Sequence, residues 1–190
     1  MTYLEHSKTT DIQTLQTDRE VIREIAKNNQ EENDAFRSFL IQLNSSLVDE
    51  MTIRINEEVD SAIDCTSCGA CCGQLMVNVS RERAEKVAHQ LQLSINDFEE
   101  KYVEKSEGGM MIMNTIPCHF LCDNKCTIYE YRFDECRDFP GLHRPGIQTR
   151  LFAMMIHYGM CPIIFNVLER MKIETGFKKE HPLSVAGFTK

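Results

Sequence analysis

The feature that most constrains this chain is a dense cysteine run, CTSCGACCG, at residues 65–73. Its spacing is C-x2-C-x2-C-C, and its members are Cys65, Cys68, Cys71 and Cys72. A two-residue spacer lets two thiolates converge on one metal without straining the backbone. Gly69 and Gly73 permit the tight turns that such a loop requires. The run therefore predicts a metal-binding loop.

Two of these cysteines, Cys71 and Cys72, are adjacent in the chain. Neighbouring side chains point apart, so a single metal atom rarely holds both comfortably. We therefore interpret the pair as serving two metal centres, or two atoms of one multinuclear cluster.

A second group of cysteines lies in the stretch PCHFLCDNKCTIYEYRFDECRDFP at residues 117–140, and a ninth cysteine starts a Cys-Pro dipeptide. These five cysteines are Cys118, Cys122, Cys126, Cys136 and Cys161. Four-thiolate sites are the common unit for zinc and for iron–sulfur clusters. Eight of the nine cysteines would complete two such sites and leave one spare.

Disulfides explain these cysteines poorly. Their number, nine, is odd, and the N-terminal MTYLEHSKTTDIQ has no apolar stretch flanked by positive charge that would predict export. Nor does any stretch approach the ~18 apolar residues of a membrane span. We expect a cytoplasmic protein with reduced thiols and no membrane partner. The net charge of −8 argues against a nucleic-acid partner.

Charge and composition divide the chain into three parts. Residues 1–60 hold thirteen acidic and six basic side chains, which gives −7, and we expect an N-terminal helical extension there. Residues 61–172 form the predicted metal-binding domain. Residues 173–190 form a polar tail, which we expect to fray beyond about residue 175.

Apolar periodicity predicts two helices in the extension, at 11–30 and 33–60. The longer one is amphipathic, with one continuous apolar face. That face could pack on the cysteine domain or bind a partner protein.

The rest of the chain predicts a mainly helical α+β fold, in which a small loop-rich cysteine-cluster domain follows the extension. Helices are predicted after Ser80 and Ser94, and from 161 to 174; the stretches QLMVNV (74–79) and MMIM (110–113) are predicted strands. Residues 118–146 show little apolar periodicity. We therefore expect something other than a hydrophobic core to hold that segment.

The motifs CTSCGACC, CTIYEYRFDECRDFP and the later CP resemble the CxxCxxCC cysteine-cluster family over roughly residues 61–172. That family is described as a zinc- or iron-chelating domain and is related to flagellin lysine N-methylase. Two positions depart from its pattern. Phe133 stands where the family usually has proline, and Cys122 is an extra cysteine, which we take as the spare, although it could replace Cys118.

The resemblance implies eight metal ligands: Cys65, Cys68, Cys71, Cys72, Cys118, Cys126, Cys136 and Cys161. The flanking positions of the motif are Tyr129, Arg132, Arg137, Phe139 and Pro140. We expect Tyr129, Arg132 and Arg137 to surround the ligands.

Arginines near the cysteines also have a physical reason. Four thiolates around a dication, or around a doubly positive iron–sulfur core, leave a charge near −2, which is costly to bury without nearby cations. Arg132, Arg137 and Arg144 could supply them. We expect His119 and His143 either to surround the ligands or to lie on the surface, and not to bind metal.

The spacing leaves the metal open between zinc and an iron–sulfur cluster such as 4Fe-4S. Three functions are consistent with the sequence. The first is a metal-binding protein that handles metal or electrons. The second is an iron–sulfur-dependent enzyme similar to protein lysine N-methylase, although no Gly-rich cofactor-binding loop appears. The third is a zinc-stapled interaction module.

Overall fold

The computed structural model of the protein describes residues 14–178 and has the predicted mainly helical α+β fold. Its helices are α1 (Arg19–Asn28), α2 (Gln30–Gln42), α3 (Ser45–Ala62), α4 (Arg81–Gln90), α5 (Ile95–Tyr102), α6 (Asp134–Asp138), α7 (Leu151–His157) and α8 (Pro162–Glu174). Its strands are β1 (Val103–Lys105), β2 (Met111–Met113), β3 (Leu121–Cys122) and β4 (Lys125–Cys126). They pair as two antiparallel hairpins, β1–β2 and β3–β4.

A first hydrophobic core joins the N-terminal helices to the C-terminal ones. Helix α8 packs on α3 and α1, while α2 packs on α7. Phe36, Leu40, Val59 and Ile164 are fully buried in this core. The helices before the cysteine run therefore pack against the helix that follows Cys161.

A second, smaller core lies under α4, α5 and the β1–β2 hairpin. Val87 and Phe98 are fully buried there, together with Phe120, Ile128 and Phe133. The last three belong to the segment 118–146, so the expectation that apolar side chains do not hold this segment is wrong. Their irregular spacing hides them from a search for periodicity.

Three predicted helix starts are confirmed. The Ser80 hydroxyl accepts a hydrogen bond from the Arg83 N–H (3.3 Å), and the Ser94 hydroxyl accepts one from the Asp97 N–H (3.1 Å). Helix α8 begins at Pro162, whose missing N–H costs nothing in the first turn.

The predicted long helix at 33–60 is wrong, because the chain breaks at Leu43 and Asn44. Leu43 is extended, and the Asn44 side chain accepts hydrogen bonds from the N–H groups of Ser46 and Leu47, which starts α3. The buried side chains of α2 and α3 pack within the chain, in the first core. Not every apolar side chain of this stretch is buried, since Leu47 is 64% exposed.

The predicted strand at 74–79 is reduced to a single antiparallel bridge, between Asn78 and Ile112. Two backbone hydrogen bonds flank this bridge, from the Val79 N–H to the Met111 carbonyl (2.8 Å) and from the Met113 N–H to the Val77 carbonyl (2.9 Å). The Asn78 N–H donates to a Glu135 carboxylate oxygen (2.7 Å). The stretch MMIM is confirmed as a strand, at Met111–Met113.

The predicted helix at 11–30 begins later, at Arg19, where the Asp18 carboxylate caps it and Asn29 ends it. Residues 1–13 and 179–190, including Ile12 and most of the predicted tail, lie outside the described residues. Phe177 packs on Phe36, with ring centroids 4.9 Å apart. The division of the chain at residues 60 and 172 stays a prediction.

Between residues 14 and 178, no single helix is long and apolar enough to cross a membrane; only the segments Ile147–His157 and Pro162–Glu174 taken together pass such a test, and they are bent by 118°.

Candidate metal centre

The cysteine run forms a compact loop between α3 and α4. It opens with a 3-10 turn, Cys65–Ser67, in which the Asp64 carboxylate accepts hydrogen bonds from the Thr66 N–H (2.8 Å) and hydroxyl (2.6 Å). It closes with a hydrogen bond from the Leu75 N–H to the Cys71 carbonyl (2.8 Å). Local hydrogen bonds therefore hold this loop in shape.

The β3–β4 hairpin lies directly against this loop. Its two turn residues, Asp123 and Asn124, both have positive φ, of 49° and 60°, as in the tight turns that suit hairpins. Gly69 also has a positive φ (63°), and a Cβ built on it would lie 2.8 Å from the Asn124 carbonyl oxygen. Only glycine fits at this contact.

Replacing Gly69 with alanine should therefore destabilise the cysteine loop. The methyl group would clash with the backbone of Asn124, and a positive φ alone costs a non-glycine residue about 1–3 kcal/mol. Denaturant unfolding measures the loss.

Gly73→Ala is the matched control, because a Cβ at Gly73 would meet no atom closer than 3.5 Å. Its free energy of unfolding should stay within about 0.5 kcal/mol of the original protein. Equal stability of the Gly69 and Gly73 variants would contradict the close contact.

The second cysteine segment reaches the first through its backbone. The Cys118 N–H donates to the Cys72 carbonyl (2.8 Å), and strand β4 carries Cys126 to the turn that begins at Cys65. Helix α6 supplies Cys136. Cysteines that are far apart in sequence therefore gather in one region.

Cys161 is the N-cap residue of α8. It is the one cysteine whose residue is buried, and its sulfur accepts hydrogen bonds from the N–H groups of Ile163 and Ile164. A helix N-terminus favours negative charge, so it suits a thiolate.

The two cores divide the cysteines between them. Cys161 belongs to the first core, and Cys68 and Cys71 pack against it. Three others, Cys118, Cys126 and Cys136, pack against the second core.

Electrostatic contacts show which cysteines lie near Cys65 and Cys72. Cys65 interacts with Cys68, Cys71 and Cys161. Cys72 interacts with Cys118 and Cys126, and Cys136 interacts with both of these. Cys71, adjacent to Cys72, also interacts with members of the second group. Cys71 therefore contacts both groups of cysteines.

The adjacent thiols polarise each other. A hydrogen bond from the Cys72 side chain lowers the pKa of Cys71, helped by the backbone N–H groups of both residues, while burial opposes the change. The same hydrogen bond raises the pKa of Cys72, and burial adds to that increase. Cys71 is therefore the thiol of the pair that ionises first.

Burial raises the pKa of most other cysteines. It raises the pKa of Cys136 and of Cys161 to about 12. Cys65 is an exposed residue, but desolvation of its sulfur raises its pKa to about 11. The pKa values of Cys118 and Cys126 rise for the same reason. A metal ion must therefore displace protons from these sulfurs.

Backbone N–H groups already point at several of these sulfurs. Cys118 accepts from the Phe120 N–H and Cys126 accepts from the Ile128 N–H, each two residues ahead in the chain. Such hydrogen bonds lower the pKa of the thiol and stabilise the thiolate that a metal requires.

Of the predicted surrounding residues, Arg132 and Tyr129 lie beside Cys126. The Arg132 charge lowers the Cys126 pKa against the larger effect of burial, and its guanidinium stacks 3.7 Å from the Tyr129 ring centroid. Arg137 donates instead to the backbone carbonyls of Glu130 and Arg132, so it stabilises the turn that carries Tyr129 and Arg132.

Sequence reasoning missed Arg19, which donates from α1 to the Cys68 carbonyl (3.2 Å). Nothing in the sequence marks it, because 49 positions separate the two residues. Arg144 pairs with Asp138 in the segment that follows Cys136.

The spare cysteine and the histidines have other neighbours. Cys122 is exposed on the β3–β4 hairpin, beside Asp123. The His119 ring is hydrogen-bonded to the Asn114 side chain (2.7 Å), and the His143 ring lies 3.4 Å from Asp138.

Phe133, which stands at the departure from the family pattern, is buried in the second core. Its φ of −61° is close to the value that proline imposes. The turn therefore keeps the backbone shape that proline would give, while a phenyl ring is gained for packing.

The donor set fits a thiophilic metal. All nine cysteines are free thiols, and thiolate is the preferred ligand of zinc and of iron–sulfur clusters. Within residues 14–178, however, no three His, Cys, Asp or Glu side chains lie close enough together to hold a metal ion. Binding must draw the sulfurs of each group together.

Comparison with known proteins gives one match. Residues 64–161 match the model of the CxxCxxCC family, described as a "putative zinc- or iron-chelating domain". No curated protein and no solved structure matches the chain.

Proposed function

The chain belongs to the CxxCxxCC family of zinc- or iron-chelating domains, and we propose that it binds metal at two centres, each with four thiolate ligands. The observation that carries this proposal is the division of six cysteines between two hydrophobic cores, with Cys68, Cys71 and Cys161 in or against the first and Cys118, Cys126 and Cys136 against the second.

The first proposed centre has the ligands Cys65, Cys68, Cys71 and Cys161. Its support is the packing of three of these residues in or against the first core, and the electrostatic contact of Cys65 with Cys161. Backbone N–H groups at the start of α8 stabilise the Cys161 thiolate. This centre would fix the cysteine loop to the main helical core.

The second proposed centre has the ligands Cys72, Cys118, Cys126 and Cys136. Its support is the electrostatic contact of Cys118 and Cys126 with both Cys72 and Cys136, and the packing of Cys118, Cys126 and Cys136 against the second core. Arg132 offsets part of the negative charge that four thiolates bring. This centre would hold the hairpin and α6 against the cysteine loop.

The adjacent pair then has a clear role. The two thiols are hydrogen-bonded to each other, and Cys71 also contacts Cys65 and Cys161 while Cys72 contacts Cys118 and Cys126, so Cys71 can serve one centre while Cys72 serves the other. The two centres would thus share one loop and join the two cores of the protein.

The ligand set accepts either zinc or an iron–sulfur cluster. Zinc would make both centres structural links. An iron–sulfur cluster would add one-electron chemistry, with a potential set by the N–H donors and by Arg132.

Metal analysis of protein purified without oxygen tests the proposal. We expect about two zinc atoms per chain, or iron and acid-labile sulfide in equal amounts with a brown colour. Folded protein that contains neither zinc nor iron would contradict it. One metal atom per chain would contradict the pair of centres but not metal binding itself.

A further inference from the structure

A cleft of about 270 Å³ opens between the two cores, beside the second proposed centre. The side chains of Cys72, Cys118 and Cys136 form part of its lining, and Cys71 borders it as well. A molecule in the cleft would therefore lie against the sulfurs of this centre.

The other walls of the cleft are mainly apolar. Leu75, Met76 and Val77 line one side, in the segment that follows the cysteine loop; Phe139 and Met154 line another. Methionine side chains adapt to ligands of different shape, because they are flexible and polarisable. These walls offer apolar contacts.

The carboxylates that line the cleft already have partners. Glu135 accepts hydrogen bonds from the backbone and the side chain of Asn78 (2.7 and 2.5 Å). Asp138 pairs with Arg144 and lies 3.4 Å from the His143 ring. Binding a cation at either carboxylate would have to compete with these contacts.

The arginines of the lining are also engaged. Arg144 pairs with Asp138, and Arg150 donates to the carbonyls of Gly141 (3.2 Å), Arg144 (2.7 Å) and Pro145 (2.9 Å). The Arg150 Nε atom alone has no partner among the described residues, and it is buried, so a ligand in the cleft does not reach it. Both arginines of the lining therefore already have acceptor partners, with which an anion in the cleft would have to compete.

Because the walls are mainly apolar and the charged side chains of the lining are already paired, we propose that this cleft binds a neutral, mainly apolar small molecule. Its size would be about that of a bicyclic aromatic ring. An apolar cavity of ~150 Å³ holds one benzene molecule, so the cleft has room for a second fused ring. The bound molecule would cover the sulfurs on the cleft side and exclude water from them.

Titration with indole, followed by NMR of methionine methyl groups, tests the proposal on protein with its bound metal. We expect the resonances of Met76 and Met154 to shift together and to saturate. Met110, in the turn before β2, should not shift. Tryptamine and indole-3-acetate carry opposite charges, and we expect each to bind at least tenfold more weakly than indole.

Met76→Trp should fill the mouth of the cleft and weaken indole binding at least tenfold. Met76 is 55% exposed, so this change does not disturb a core. Met110→Trp is the matched control, since Met110 is 58% exposed and lies outside the cleft, and its indole affinity should be unchanged.

Three results would overturn the proposal: no saturable shift at Met76 and Met154, tighter binding of a charged analogue, or equal affinity in the Met76→Trp and Met110→Trp variants. The metal content of each sample is measured alongside. Failure of indole binding with the metal in place would therefore count against the cleft and not against the metal centres.

Discussion

Replacing Cys126 with serine should remove metal from the second centre and leave the first centre loaded. A serine oxygen is a poor ligand for a metal that prefers sulfur, and three thiolates would leave the site incomplete. We expect the metal content to fall to about half of the original value, as measured by elemental analysis of protein purified without oxygen.

Cys68→Ser is the complementary variant. Cys68 packs against the first core, so this change should remove the other half of the metal and leave the second centre loaded. The double variant should then retain almost none. If either single variant loses all its metal, one shared cluster would replace the two centres.

Cys122→Ser is the matched control. Cys122 lies on the same hairpin as Cys126 but is exposed, and no other cysteine is among its hydrogen-bond partners in the described part of the chain. Its metal content should not change. Metal loss in this variant would show that Cys122 is a ligand.

Removal of the metal by a chelator should unfold the second core and spare the first. The second core spans about sixty residues, from Val77 to Cys136. A folding unit of that size has only marginal stability without a cross-link such as a bound metal. Binding of structural zinc contributes ~10–16 kcal/mol to the folding free energy of small peptides. The second core would lose a contribution of this kind when the metal is removed. The first core keeps the packing of α1, α2, α3, α7 and α8.

Hydrogen exchange with and without chelator measures this difference. Peptides around Val87, Phe98 and Phe133 should lose most of their protection in the metal-free protein. Peptides around Leu40 and Ile164 should keep theirs. Uniform loss over both cores would show that they unfold as one unit, and no loss would show that the metal is not structural.

Local signals in the sequence predicted part of the fold correctly. The serine caps at Ser80 and Ser94 and the Cys161-Pro162 helix start depend on a few neighbouring residues, so they could be predicted without tertiary contacts. The family and its metal-chelating character followed from the cysteine spacing.

Features that depend on competing or distant contacts could not be predicted. Apolar periodicity continues through Leu43 and Asn44, yet the Asn44 side chain stops one helix and caps the next. The β-rich stretch 74–79 gives its backbone hydrogen bonds partly to Glu135, a residue far along the chain.

The candidate site shows the same limit. The cysteine spacing predicted two centres or one multinuclear cluster, but the ligand sets proposed here became visible only once the two cores were known. The hydrogen bond from Arg19 to the Cys68 carbonyl and the lining of the cleft both depend on residues that only folding brings together.

The order of ligands along the chain has a consequence for biosynthesis. The last ligand of the proposed second centre is Cys136, whereas the first centre must wait for Cys161, 25 residues later. At ~5–20 residues per second, translation takes about 1 to 5 s to cover that distance. A nascent chain would thus complete the second centre before the first, while the thiols of Cys65, Cys68 and Cys71 still lack Cys161 from the start of α8.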